Sequence, residues 1–290
     1  MHGRRLSWYD DRWRRAVAVE QTENLAAEVR PLAWCRAAIG AVLLLRTTPL
    51  LAPLDLWFLR DAYPLLGWPD AAWKADTALA LPPSIVIALC VVRTVAAGLF
   101  LVGAWTRAAG LVAGTAGYVV MAQTPFGFIF TLHLLYQAAI LLALTDSATS
   151  FALRPRAARS PATSLLVIRC WTASIYAWAG IYKLRADWLD GRALGLFHAD
   201  GAIHNRLADF LLATSTSRAV VGSGVALFEL VIGPLLLWKR TRTIAVIVAF
   251  AFHAGLELMA RPDLLGWGMA SLLLSFVEPG AEERAGLRPA

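Results

Sequence analysis

The chain has 290 residues, of which 58% are hydrophobic and only 16% charged, with a mean hydropathy of +0.58. Soluble domains carry about a quarter charged residues, so this composition excludes an ordinary water-soluble fold and points to lipid. The net charge of +7 and the isoelectric point near 9.8 do not indicate a nucleic-acid partner. Much of the excess falls in short loops between apolar runs, where membrane orientation and anionic headgroups account for it.

In chain order, residues 1–30 form a basic N-terminal segment, "MHGRRLSWYDDRWRRAVAVEQTEN" onward, with no apolar core of the signal-peptide kind. It reads either as a Trp-bearing basic helix on the inner leaflet or as a solvated arm. Residues 31–277 hold eight apolar runs: Pro31 to Leu54, Ser84 to Trp105, Ala108 to Gln123, Phe128 to Thr145, Ser164 to Leu184, Ala219 to Trp238, Thr243 to Met259 and Leu264 to Val277. Each approaches or exceeds the ~20 residues that cross a bilayer as helix, the runs at 108–123 and 264–277 least so. Residues 278–290 are a short tail. The fold class expected is all-α, a polytopic transmembrane helical bundle of about eight spans, with six spans plus two re-entrant segments as the alternative.

Charge tests that count independently of hydropathy. With the N-terminus cytoplasmic and all eight runs crossing, the inner segments hold 15 Lys and Arg against 7 in the outer ones. The positive-inside rule therefore places both termini in the cytoplasm, in a plasma membrane.

Cys35, Cys90 and Cys170 each fall inside a span without paired spacing, which suits neither a disulfide framework nor a zinc site. The five histidines are scattered, and no metal is expected. More informative are the ionisable groups inside the spans: Arg36, Arg46, Arg93, Arg169, Lys183, Glu229 and Glu257. A charge in a span costs at least a few kcal/mol unless a partner or a polar cavity receives it. Interhelical ion pairs and snorkelling are the structural explanations, and an anionic ligand is the functional one. In the fifth run Arg169, Tyr176 and Lys183 are seven apart, and Thr172 lies between the first two. They share one helical stripe, which is expected to face the bundle interior. His133 and His253 are mid-span, as packing residues or as proton carriers.

"SLLVIRCWTASIYAWAGIYKLRADWLDG" carries Arg169, Tyr176, Ala179, Gly180, Lys183, Leu184, Asp187, Trp188 and Gly191. This segment resembles the matching part of the vitamin K-dependent γ-carboxylase family and of the bacterial HTTM proteins that share its membrane domain, SdpB-like members included. Other segments are similar in the same order: "LAWCRAAIGAVLLLRTTP" with Arg36, "FLVGAWTRAAGL" with Gly103 and Arg107, "VALFELVIGPLLLWKRTR" with Glu229, and "AVIVAFAFHAGLELM" with His253. The resemblance covers roughly residues 27 to 277.

What the resemblance implies is a chemistry in which Lys183 is the base that deprotonates a reduced naphthoquinone. His253 and His133 would act with it at the quinol oxygens. Arg36 and Arg169, with Tyr176 and Glu229, are expected to hold a substrate carboxylate or a developing oxyanion. The resemblance extends to no large peptide-binding region, so a small peptide or small molecule is the expected substrate. A non-catalytic accessory for maturation or export of a secreted peptide is the alternative, and a transporter is a third. Membrane lipid is an expected partner and nucleic acid is not. The outer segment 185–218 contains a turn at Asp190 and Gly191 and a short surface helix in "NRLADFLLAT", arranged as a cover near Lys183.

Overall fold

A computed structural model describes residues 29–47, 81–122, 130–203, 205–259 and 265–277. The basic N-terminal segment up to residue 28, the tail 278–290 and His204 lie outside the described residues, as does the side chain of Arg46. Eleven helices are described: α1 (Arg30–Thr47), α2 (Pro83–Leu101), α3 (Thr106–Met121), α4 (Phe130–Ala143), α5 (Pro161–Tyr182), α6 (Ala186–Leu189), α7 (Arg192–Ala199), α8 (Arg206–Leu211), α9 (Ser215–Leu237), α10 (Arg242–Met259) and α11 (Leu265–Leu273). A 3₁₀ turn, Leu274–Phe276, continues α11, and no β-strand occurs among the described residues.

Each of the eight apolar runs contains a described helix. Among the described residues, four helices are long and apolar enough to cross a membrane: Ser84–Leu101 within α2, then α5, α9 and α10. Their outward faces carry exposed aliphatic side chains, among them Val91 and Val95 on α2, Leu227 on α9, and Ile244 and Ile247 on α10. Such rows belong against acyl chains rather than water. At about 1.5 Å per residue, the 14-residue α4 covers only part of a ~30 Å hydrocarbon core. α1 is 18 residues long but carries Arg30, Arg36 and Arg46, which lowers its hydropathy.

Helices α1 to α4 pack as sequential neighbours, and α5 pairs with α9. Pro83 and Pro161 open α2 and α5, where a missing N–H costs no helical bond. Thr214 and Ser217 form a reciprocal capping box at the start of α9. Between α2 and α3 the chain turns through Gly103 at φ +70 and Trp105 at φ 47. Gly103 is required there twice over, because a side chain would meet Arg36 and the Ala152 backbone.

The centre is filled by α11, which packs against α1, α10, α4 and α5. Gly268, Met269, Leu272, Leu273 and Phe276 are buried on it. A helix this apolar buries most of its surface, and here only Trp267 stays exposed. Cys35 of α1 is also buried here and directs its Sγ toward Leu272 O.

Candidate functional site

The polar stripe of α5 faces inward. Thr172 and Tyr176 are buried, and Thr172 returns its hydroxyl to Ile168 O. Arg169 donates from Nε to Ser275 O at 2.8 Å and lies over the Phe276 ring. Two turns beyond, the Tyr176 hydroxyl shares a 2.7 Å hydrogen bond with His253 Nε2 on α10. Two further turns on, at the C-terminal cap of α5, Lys183 Nζ donates to Glu229 Oε2 on α9 at 2.6 Å. The two side chains are only 16% and 10% exposed, so the pair exchanges little with solvent. Lys183 Nζ also stands 5.1 Å from the centre of the Trp188 ring, over its face.

The end of α5 at Lys183 packs against α9, although Ile181, Tyr182 and Leu184 around it are exposed. Gly180 lies against Leu230, and Gly222 lies against the Trp188 carbonyl, so α5 stops partway along α9. Helices α6 and α7 then continue along the remainder of α9. This segment, the expected cover, meets Lys183 through the Trp188 ring, while Leu189, Leu196 and Phe197 remain exposed. Gly191 makes its bend at φ +78, with Ala219 and Arg218 too close to admit a side chain. Asn205 caps α8 and donates to Leu258 O, which ties the cover to the end of α10.

On the far side of Glu229 an apolar groove of about 460 Å³ runs between α9 and α10, lined by residues that include Leu227, Phe228, Val231, Ile244 and Val248. Phe228 stacks on Phe252 at 4.3 Å, and Phe252 meets the edge of His253. An aromatic wall thus joins a groove facing the acyl chains to the buried histidine. His253 Nδ1 is buried with no hydrogen-bond partner among the described residues.

The structure therefore brings together Tyr176, Lys183, Glu229 and His253, from three helices. It places the other sequence-selected residues elsewhere. His133 accepts or donates at Nδ1 to the Tyr118 hydroxyl at 2.9 Å, across α3 and α4. Arg93 donates to the Tyr136 hydroxyl in that same packing layer. Arg36 is fully buried and donates to the Phe151 carbonyl, with its Nε and Nη1 unpartnered among the described residues. Glu257 accepts from the Gly266 amide and so fastens the start of α11. Glu229, expected among substrate-holding groups, is the counter-charge of Lys183. Trp188, already part of the segment that carries the resemblance, completes the site with Phe228 and Phe252, which have no motif of their own. Their signal in the sequence is only that aromatics flank Lys183, Glu229 and His253.

A family model described as the HTTM domain matches residues 76–279, more than half of the chain. The match takes in α2 through α11 and leaves out α1 with Arg36. No curated protein and no solved structure matches the chain.

Proposed function

The chain belongs to the HTTM domain family, and from that premise we propose that it is a membrane enzyme that uses a quinol and the Lys183–Glu229 pair for oxygen-dependent proton abstraction from a small substrate, with carboxylation as the outcome. One observation carries the reading: a largely buried Lys–Glu pair and a buried Tyr–His pair both spring from α5, and Phe228 and Phe252 connect His253 to an apolar groove between α9 and α10. The residues fit a quinol. A groove of about 460 Å³ is within the range of small-molecule sites, roughly 300–1,000 Å³, and His253 Nδ1 is a buried polar atom without a partner among the described residues.

When bound, a reduced naphthoquinone supplies, through its reaction with oxygen, a base strong enough to remove a proton from carbon. The protein's own part is proton handling and positioning. Glu229 Oε2 takes the proton of Lys183 Nζ along their 2.6 Å hydrogen bond, leaving a neutral amine that accepts a hydroxyl proton. His253 Nδ1 holds an oxygen of the ligand, and the Tyr176 hydroxyl fixes the ring orientation through Nε2. The α6 to α8 cover excludes water above Lys183. The orientation that suits this scheme has both termini in the cytoplasm of a plasma membrane and the cover on the outer side, where a peptide or small molecule arrives.

The test is oxygen-dependent consumption of reduced naphthoquinone by membranes containing the protein, with host secretome added as a source of acceptor. Consumption by wild type is expected to fall at least ~100-fold in Lys183→Gln, the scale of a lost general base. Glu229→Gln is expected to slow it and Tyr176→Phe to raise the quinol requirement. Equal consumption by wild type and a folded, inserted Lys183→Gln protein overturns the reading. Capture of a secreted peptide by the cover, with Lys183 dispensable, is what the accessory reading requires.

A further inference from the structure

At the opposite end of α5 from Lys183, the α2–α3 turn and the α4–α5 loop enclose a cavity of about 380 Å³. Leu153 N donates to Val102 O and Arg154 N to Gly103 O, so loop and turn are fastened together and the cavity is part of the fold. Arg107, Arg156 and Arg159 line it against a single carboxylate, Asp146. Asp146 is occupied: its Oδ2 accepts from the Ser160 amide at 2.7 Å and from the Ser164 hydroxyl. None of the three arginines forms a salt bridge among the described residues, and a surplus of two positive charges is left facing the cavity.

Thr106 is the second observation. It lines the cavity and is only 3% exposed, yet its Oγ1 has no hydrogen-bond partner among the described residues. A buried hydroxyl left unpaired costs about 1–3 kcal/mol, so its persistence points to a partner supplied from outside the chain. Thr106 is also the first residue of the 16-residue α3, whose N-terminal amides carry no side-chain cap. Uncapped amides, a free hydroxyl and unpaired guanidiniums are together the donor set of an oxyanion with several acceptor oxygens. Thr145 and Thr149 spend their hydroxyl protons on Leu142 O and Asp146 O, so they do not compete as donors.

We propose that this cavity binds an anionic phosphate group, held by Thr106, Arg107, Arg156 and Arg159. The phosphate belongs either to an anionic lipid headgroup or to a soluble phosphate ester. This site is separate from Lys183 and stands whether or not the quinol reading does.

The experiment measures thermal unfolding of the purified full chain in an uncharged detergent. Inorganic phosphate or a short-chain phosphatidic acid is titrated in, with sodium chloride at matched ionic strength as control. Either probe raising Tm supports the site; phosphatidic acid alone assigns it to lipid, and inorganic phosphate alone assigns it to a soluble ester. In Arg156→Gln with Arg159→Gln the rise should disappear. Thr106→Val should not lower Tm without probe, and should raise it if anything, since it removes a buried hydroxyl with no partner among the described residues, and should raise the probe concentration needed roughly tenfold. No rise above the chloride control, or an undiminished rise in the double Arg variant, overturns the proposal. So does a Thr106→Val protein that melts lower yet responds to the probe as wild type does.

Discussion

Removing one member of the Lys183–Glu229 pair should cost far more than removing both. The side chains are 16% and 10% exposed and joined at 2.6 Å, so either one alone becomes a nearly buried, uncompensated charge. Breaking a buried pair from one side costs about 3–5 kcal/mol, and the slight exposure here argues for the lower end, about 3 kcal/mol. Domains of 150–250 residues lose roughly 2–4 °C per kcal/mol, so Lys183→Met should melt about 6–12 °C lower. Glu229→Gln should fall by a similar amount, because the amide keeps the hydrogen bond but not the charge. In Lys183→Met with Glu229→Leu no charge remains to be compensated, and Tm should return to within a few degrees of wild type. The assay is thermal unfolding in one detergent at one scan rate, since unfolding of such a protein is governed by rate as much as by equilibrium. Single variants each melting less than ~2 °C below wild type would refute the burial argument. A double variant whose loss equals the sum of the singles would refute the coupling.

Gly117 of α3 faces the Tyr136 ring, which the Arg93 hydrogen bond at 2.9 Å prevents from moving aside. Gly117→Val should therefore lower stability by about 1–3 kcal/mol by overpacking, read as a fall in Tm, and Tyr136→Ala should relieve part of it. Asn205→Ala removes both the α8 cap and the bond to Leu258 O. The cap is worth about 1 kcal/mol, so limited proteolysis should cut within residues 200–214 faster than in wild type, with the rest of the bundle unaffected. The Arg192 backbone amide, aided by its guanidinium, holds the exposed Asp190 carboxyl below its ordinary value. A depressed carboxyl adds stability that is present above its unfolded value, about 3.9, and is lost as pH falls through the folded one. At matched acidic pH, pepsin should therefore cut the α6–α7 junction of wild type more slowly than that of Asp190→Asn, and the difference should vanish as pH falls through the folded value of Asp190.

The helices were legible because their cause is local. Twenty apolar residues in a row leave the backbone no partner in lipid but itself, so each run from Ser84 to Trp105 and onward became helix. The inward face of α5 was equally legible, since Arg169, Thr172, Tyr176 and Lys183 share a 3.6-residue period. Partners were not legible, because spacing along one helix says nothing of which helix lies opposite. Tyr176 meets a histidine 77 residues away and Lys183 a glutamate 46 residues away. His133 and His253 looked alike as mid-span histidines. They differ only because α3 sets Tyr118 against one and α5 sets Tyr176 against the other. The depth of Lys183 also escaped the sequence. A lysine closing an apolar run looks interfacial until the packing of α5 against α9 shows it paired with Glu229 and only 16% exposed.

The placement of α11 constrains how the protein is made. The first and the last of the described helices meet at the centre, where Cys35 and Leu272 lie 237 positions apart in the chain. Helices α1 to α4 can insert and associate as they leave the ribosome, but the faces of α1 and α5 that receive α11 stay uncovered until residues 265–276 have been synthesised. During that interval Arg169 lacks its Ser275 carbonyl and Cys35 lacks its lid. Until then the bundle is a cleft awaiting a plug, and residues 265–276 fill it rather than adding one more span to a series.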